Sequence, residues 1–338
     1  EKLKKQSRKF WLTFPHRFAH MLRNVNVTGE YVYESKNAKN IFDVSGGVED
    51  SRYCQILTMP GTKDAYDYTI WGNGAQRVYE TMISGEGVNN IKFSLEAWLN
   101  DHDIEYSILV LSSSYMFGCS NMRNKQYCIL NKQYAKEEYE KLRERIIRDM
   151  NEKPYKDKVG RSYPYGEFFP PELSLFGYNK SYAASYFPLD REEAGKRGFQ
   201  WYEAKPNSYK ATAKGSDLPD SISGVTDSIL NEIIECAGCK KAYRIVQAEL
   251  GLLRRFGLPL PQACPNCRYR ERWSRINKSR LYDRKCQCAG LTSENSIYTN
   301  TVTHPHGSDR CQSEFKTAYE PDRKEIIYCE PCYQVEVS

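Results

Sequence analysis

The chain has 338 residues, a formal net charge of +6 and 40% hydrophobic residues, with a mean hydropathy of -0.71. That length allows two or three domains with a real core, and no apolar run is long enough to span a bilayer, so no membrane-spanning helix and no membrane partner are expected. Twelve cysteines in so long a chain argue against the disulfide framework of a small secreted protein and for metal-binding thiolates in a reducing compartment, so a cytoplasmic location is expected.

Residues 1–30 read as a basic, helical segment. It begins Glu1-Lys-Leu-Lys-Lys, without an initiator Met or an apolar secretory stretch, as a trimmed chain would. His16 and His20 stand at the spacing of a helical metal pair, but no acidic or thiol partner is near in sequence, and they read as packing or surface histidines.

Residues 31–134 carry short apolar-aromatic strands that start near Tyr31, Ile41, Tyr53, Tyr66, Val78, Ile91, Ile104, Tyr115 and Tyr127, at intervals of 10 to 13 residues. Gly, Asn, Asp and Ser separate them and no helix intervenes. This steadiness predicts a mainly β protein with an N-terminal β-solenoid of the parallel β-helix kind, in preference to a β-sandwich with regular turns. Two such units would make one coil of about two dozen residues. Within strands such as Tyr66–Trp71 and Ile104–Leu109 every second side chain is apolar or aromatic, which predicts a one-sided core. Cys54, Cys119 and Cys128 fall in or beside these strands and read as small apolar residues.

The 135–150 segment places Tyr139, Leu142, Ile146 and Met150 on one helical face and reads as a helix capping the solenoid. In the connector 151–230, Pro154, Pro164, Pro170, Pro171, Pro188, Pro206 and Pro219 exclude long helices. Here Phe168, Phe169, Phe176 and Tyr178 are expected as anchors of an extended chain. A short helix is expected at 190–196 with Asp190 as N-cap, and a mobile polar linker at 207–216.

Two zinc-ribbon modules are expected next, over 231–275 and 276–338. The first has Cys236-Ala-Gly-Cys239 and Cys264-Pro-Asn-Cys267, two turns that aim four thiolates at one tetrahedral ion. Between them Leu250 and Leu253 lie on a short helix that Gly257 and Pro259 end. In the second, Cys286, Cys311, Cys329 and Cys332 are expected as ligands around a looped-out 287–310 insertion, with Cys288 the rival of Cys286. The strand-rich stretch Phe315–Tyr328 reads as a hairpin turning at Glu320-Pro-Asp-Arg. The remaining Cys288, His304 and His306 could form a further zinc site with an open position. Two zinc ions are expected, and a third if that site binds.

The stretch CAGCKKAYRIVQAELGLLRRFGLPLPQACPNCRYRER resembles the probable zinc-ribbon family, with its C-x-x-C, aromatic, glutamate-bearing helix and C-P-x-C-R. Through SYMFGCSNMRNKQYCILNKQYAKEEYEKL, YPYGEFFPPELSLFGYN and EPDRKEIIYCEPCY the chain from about residue 30 to 338 resembles uncharacterised zinc-ribbon proteins known mainly from environmental sequencing. The resemblance implies zinc ligation and no particular activity. That family usually has an uninterrupted C-x-x-C in the second ribbon; the 287–310 insertion departs from it and leaves the choice of Cys286 or Cys288 open.

The charge is concentrated between the modules. Arg268, Arg270, Arg272, Arg275, Lys278, Arg280, Arg284 and Lys285 face only Glu271 and Asp283 within this stretch, and Tyr269, Trp273 and Tyr282 are interleaved. Such a mixture suits phosphates and stacked bases, so a non-catalytic protein that binds RNA or single-stranded DNA is the first expectation. The alternative is a scaffold that assembles with protein partners through solenoid and ribbons. A carbohydrate-active or metal-dependent enzyme is the third, using Asp64, Asp67, Glu80, Asp101 and Asp103 or the histidine insertion. No small-molecule substrate is indicated.

Overall fold

The computed structural model describes residues 2–203 and 209–337. Of the expected linker 207–216, residues 207 and 208 lie outside the described residues, as does Pro206. The chain is mainly β and forms two compact units, one of Glu1–Ser174, Lys196–Gly198 and Asn277–Ser338, the other of Leu175–Gly195 and Phe199–Ile276.

A β-solenoid dominates the first unit, with parallel strands stacked from Met21–Leu22 to Gln126–Ile129. Lys63 pairs with Gln76, Gln76 with Asn89 and Asn89 with His102, then His102 with Ser114 and Ser114 with Gln126. A single repeat of 12 or 13 residues is therefore a whole coil, half the size expected. The backbone explains why. A left-handed residue recurs about every third position, as at Asn90, Phe93, Glu96 and Leu99 with φ of 57°, 49°, 58° and 62°. Each bends the chain sharply, so short sides close a small coil. The side chains behind the bends point inward: Ile91, Ser94 and Ala97 are buried, as is Asp101 after Leu99 and Asn100. Burial thus follows a period of three instead of the strand alternation of two. In the stretch Tyr66-Asp67-Tyr68, Tyr68 is buried while Tyr66 stays 37% exposed.

Inward residues stack in columns. Ala65, Val78, Ile91, Ile104, Met116 and Cys128 follow one another in register and all are buried. Cys54, Cys119 and Cys128 belong to this apolar core, packing as small apolar side chains. Serines occupy other inward positions, and each accepts a backbone N–H of the next coil: Ser84 from Ala97, Ser94 from Ser107, Ser107 from Cys119 and Ser113 from Lys125, at 3.0–3.2 Å. These backbone N–H groups inside the coils are satisfied in this way, whereas the buried hydroxyls of Thr62 and Ser114 have no partner among the described residues.

At the C-terminal end the chain folds back as Lys132–Gln133, antiparallel to Gln126–Ile129. The expected helix forms over Lys136–Glu152 and packs Tyr139, Leu142, Ile146 and Met150 against Phe93, Tyr106, Phe117 and Ile129 of the last rungs. Its Arg143 holds the buried Glu105 at 2.7 and 3.2 Å. The connector's Tyr165 and Phe169 continue this cluster, with ring centroids 6.0 and 5.7 Å from Tyr106. Phe176, an expected anchor, is instead exposed, whereas Tyr178 in the second unit is buried against Phe199. The short helix there is Arg191–Lys196, with Asp190 accepting from the Glu193 N–H.

The first rungs receive the end of the chain. After a helix at Lys2–Trp11, Pro15–Arg17 pairs in parallel with Ile326–Tyr328. Arg17 grips Glu330 through two hydrogen bonds of 2.6 Å, and the Phe18 ring packs tilted against Phe315 with centroids 5.0 Å apart. The expected hairpin over Phe315–Tyr328 is replaced by these pairings: Glu314–Thr317 joins Tyr282–Lys285, and Ile326–Tyr328 joins the N-terminus. A distant strand outcompetes the local turn because it also buries Ile326, Ile327 and Tyr328 completely.

Candidate metal centres

The second unit holds the first centre. Ile234–Glu235 and Ala242–Tyr243 form a two-residue antiparallel ladder around Cys236 and Cys239. Helix Gln247–Phe256 ends at Gly257 in the left-handed region, as a C-terminal glycine should. Cys264 then stands at the N-cap position of helix Pro265–Trp273, which begins with proline and carries Cys267 in its first turn. The donors of Cys236, Cys239, Cys264 and Cys267 all lie within 4.8 Å of one another. Cys239 Sγ and Cys264 Sγ are 3.7 Å apart; metal–sulfur bonds of about 2.3 Å at a tetrahedral angle give an edge of about 3.8 Å. Burial would raise the Cys236 thiol, but the backbone N–H groups of Cys239 and Cys264 donate to its sulfur and bring it down to about 6. Cys264 and Cys267 shift the other way, the first raised by burial and the second by the neighbouring thiols and burial, so Cys236 loses its proton before either of them.

The first unit holds the second centre beside the first solenoid rungs. Cys286 follows strand Tyr282–Lys285, Cys329 follows Ile326–Tyr328, Cys332 lies on the helix Glu330–Val337, and Cys311 comes from the end of the insertion. Their four sulfurs gather within 4.8 Å, all buried, with Cys311 and Cys329 3.8 Å apart. The four-cysteine cluster is thus the one that includes Cys286. Cys288 turns instead toward the insertion, where it, His304 and His306 gather with Cys332, again within 4.8 Å. Two four-cysteine clusters and one Cys/His group can therefore hold metal ions, and the position expected to be open in the last is occupied by a thiol.

Partners that sequence reasoning missed surround the Cys/His group. Glu336 Oε1 lies 2.8 Å from His304 Nε2, and the Asp309 carbonyl lies 2.7 Å from His306 Nδ1. Asn300 Nδ2 donates to Cys288 Sγ at 3.2 Å. Burial would raise the Glu336 carboxyl, but hydrogen bonds from Tyr298, His304 and Thr301 outweigh it and hold it down to about 2. The sequence signal for Glu336 is its position four residues after Cys332 on one helix, which puts both on the same face.

The basic stretch is divided. Arg268, Arg270, Arg272, Trp273 and Arg275 lie in the second unit, and Lys278, Arg280, Arg284 and Lys285 in the first. Arg268 pairs with Glu249, Arg275 with Glu271, Lys278 with Glu320 and Lys285 with Glu314, at 2.6–2.9 Å. Arg284 donates to the Glu320 carbonyl, and Arg280 lies over the Tyr282 ring. Among the described residues Arg270 and Arg272 have no acidic partner. Trp273 is half-buried against Tyr186 and Tyr269.

The carboxylates of the repeat make different contacts. Asp101 is buried and accepts N–H bonds from Trp98 and Ser113, and Asp103 binds His102 and Asn90. Asp67 and Glu80 differ: burial raises both carboxyls, and Asp67 and Glu167 raise Glu80 further. Asp64 is exposed. No helix among the described residues is long and apolar enough to cross a membrane.

Comparison with protein-family models, with curated proteins and with solved structures finds no match to this chain.

Proposed function

We propose that this chain is a zinc-stapled scaffold of the zinc-ribbon kind, non-catalytic, whose solenoid receives an extended segment of a protein partner. Zinc is the ion that suits clusters of thiolate and imidazole with no carboxylate among the donors. Closed four-donor sites offer no position for a substrate, so the metal's work is structural.

One observation carries the partner reading. Outward aromatic rings run along the solenoid through Tyr53, Tyr66, Tyr79, Phe93 and Tyr106, with successive centroids 4.7–6.0 Å apart. The chain's own connector already lies on one end of this column: the Tyr106 hydroxyl accepts the Gly166 N–H at 3.0 Å and donates to the Glu167 carbonyl at 3.1 Å. At the other end Tyr53, Tyr66 and Tyr79 are 46%, 37% and 39% exposed. The same stacking surface continues there with Asp67 and Glu80 beside it, which suits an extended aromatic segment that also carries basic residues.

The second reading is nucleic-acid binding, favoured by Arg270 and Arg272, which have no acidic partner among the described residues, and by Arg280. A photo-crosslinking amino acid placed at Tyr66 in the full chain, expressed in host material, separates the two. We expect one protein adduct that disappears when the crosslinker is moved to Lys125 on the solenoid's last rung. Absence of a protein adduct, together with salt-sensitive oligonucleotide binding that the triple change Arg270→Glu, Arg272→Glu, Arg280→Glu abolishes, would transfer the function to the basic stretch.

A further inference from the structure

We infer that the second centre is dinuclear, with the Cys332 thiolate bridging two metal ions. The inference rests on the reading of these donors as zinc ligands. It comes from counting donors against positions. The two groups share Cys332 and comprise seven side chains: Cys286, Cys288, Cys311, Cys329, Cys332, His304 and His306. Two tetrahedral ions require eight coordination positions. Seven donors fill them only if one serves both ions, and Cys332 Sγ is the one atom within 4.8 Å of the rest of each group. A thiolate sulfur has lone pairs to spare for a second ion, whereas an imidazole nitrogen has one.

The histidine geometry agrees. His306 Nε2 lies 3.3 Å from Cys332 Sγ, and His304 Nδ1 lies 3.4 Å from Cys288 Sγ. For metal–nitrogen and metal–sulfur bonds of about 2.0 and 2.3 Å a tetrahedral edge is about 3.5 Å. Each ring then coordinates through the nitrogen facing the sulfurs and donates from the other, His304 to the Glu336 carboxylate and His306 to the Asp309 carbonyl. Such outer partners are what orient histidines at metal sites. Glu336 is committed on its other side to Tyr298 and Thr301, so it stands behind His304 and is not a ligand. Sharing one thiolate also limits the buried charge: five thiolates and two neutral imidazoles around two divalent ions leave a single net negative charge, far less than two separate four-thiolate sites.

The insertion 287–310 thereby gains a purpose. It supplies Cys288, His304 and His306, and so turns a split ribbon into a two-metal core.

The test is a metal count on the purified full chain with variants, followed by exchange to cadmium-113. We expect three ions per chain. Cys288→Ser, or the pair His304→Ala and His306→Ala, should lower the count to two, and Cys332→Ser to one. In the cadmium-substituted wild type, the Cys332 Hβ protons should couple to two cadmium resonances and those of Cys311 to one; this readout requires no variant to fold. A count of two that the histidine changes leave unaltered would overturn the dinuclear centre while leaving the zinc reading intact. Three ions with Cys332 coupled to only one would overturn the bridge. A chain without stoichiometric metal would overturn the zinc reading itself.

Discussion

Asp101 shows what the coil demands of a single residue. It sits at an inward position where its neighbours in the stack are apolar or serine, and it accepts the N–H groups of Trp98 at 2.9 Å and Ser113 at 2.6 Å. Burial raises its carboxyl to about 7 in spite of those two donors, against about 3.9 for a free aspartate. A raised folded-state value means that the stability this group contributes is complete below pH ~4 and is lost as pH rises through about 7. In carbon-detected carboxyl NMR, Asp101 should titrate with a midpoint near 7; a midpoint near 4 would mean that the two N–H donors outweigh burial. At this scale the candidate metal ligands were the most legible feature of the sequence. A C-x-x-C pair states its geometry locally, but spacing left Cys286 and Cys288 as rivals, and only the fold brings Cys286 to the four-cysteine cluster. The fate of Cys288 and the double membership of Cys332 depend on where a 24-residue insertion folds, which no local pattern records.

At the scale of elements, the repeat interval was legible and the coil was not. The left-handed corners that shrink the coil fall on Asn and Asp in places, but also on Tyr53, Ile83, Phe93, Tyr106 and Leu109. Residues of these types rarely adopt positive φ, at a cost of about 1–2 kcal/mol each, so their identity argues for strands and hides the corners. The stacked registers and the burial of each following residue offset that cost. The helix Lys136–Glu152 was readable because its apolar spacing is local, but its anchor was not: Glu105 is 38 residues from Arg143. With Lys92 at 3.1 Å and the Tyr165 hydroxyl at 3.2 Å, Arg143 completes the satisfaction of a buried carboxylate. Arg143→Ala should lower stability by about 2 kcal/mol in urea unfolding at pH 7, and Arg143→Lys by less. An unchanged midpoint would show that Lys92 and Tyr165 suffice.

At the scale of the whole molecule, a candidate metal centre and a solenoid share one compact unit. The strand Ile326–Tyr328 leads directly into Cys329 and pairs with Pro15–Arg17, and Glu330 between the two cysteines holds Arg17. Stripping metal should therefore loosen the first rungs and spare the last. Hydrogen exchange with and without a chelator is expected to accelerate by about tenfold or more in Met21–Val44 and to remain unaltered in Ile104–Ile129, where the helix and connector hold the chain. Equal acceleration throughout would mean that the coils unfold as a single cooperative block. The N-terminal pairing was beyond the sequence for a physical reason: its two strands are 311 residues apart in register, Pro15 to Ile326, and nothing in either short apolar stretch specifies the other.

The register of thirteen also has a genetic meaning. Each coil between Lys63 and His102 hands the same hydrogen bonds to its successor, so an in-frame duplication of one such unit would add a rung about 4.8 Å thick and leave both ends unaltered. Length in this protein is thus a quantity that copying errors can adjust in equal steps, without redesigning the chemistry at either end.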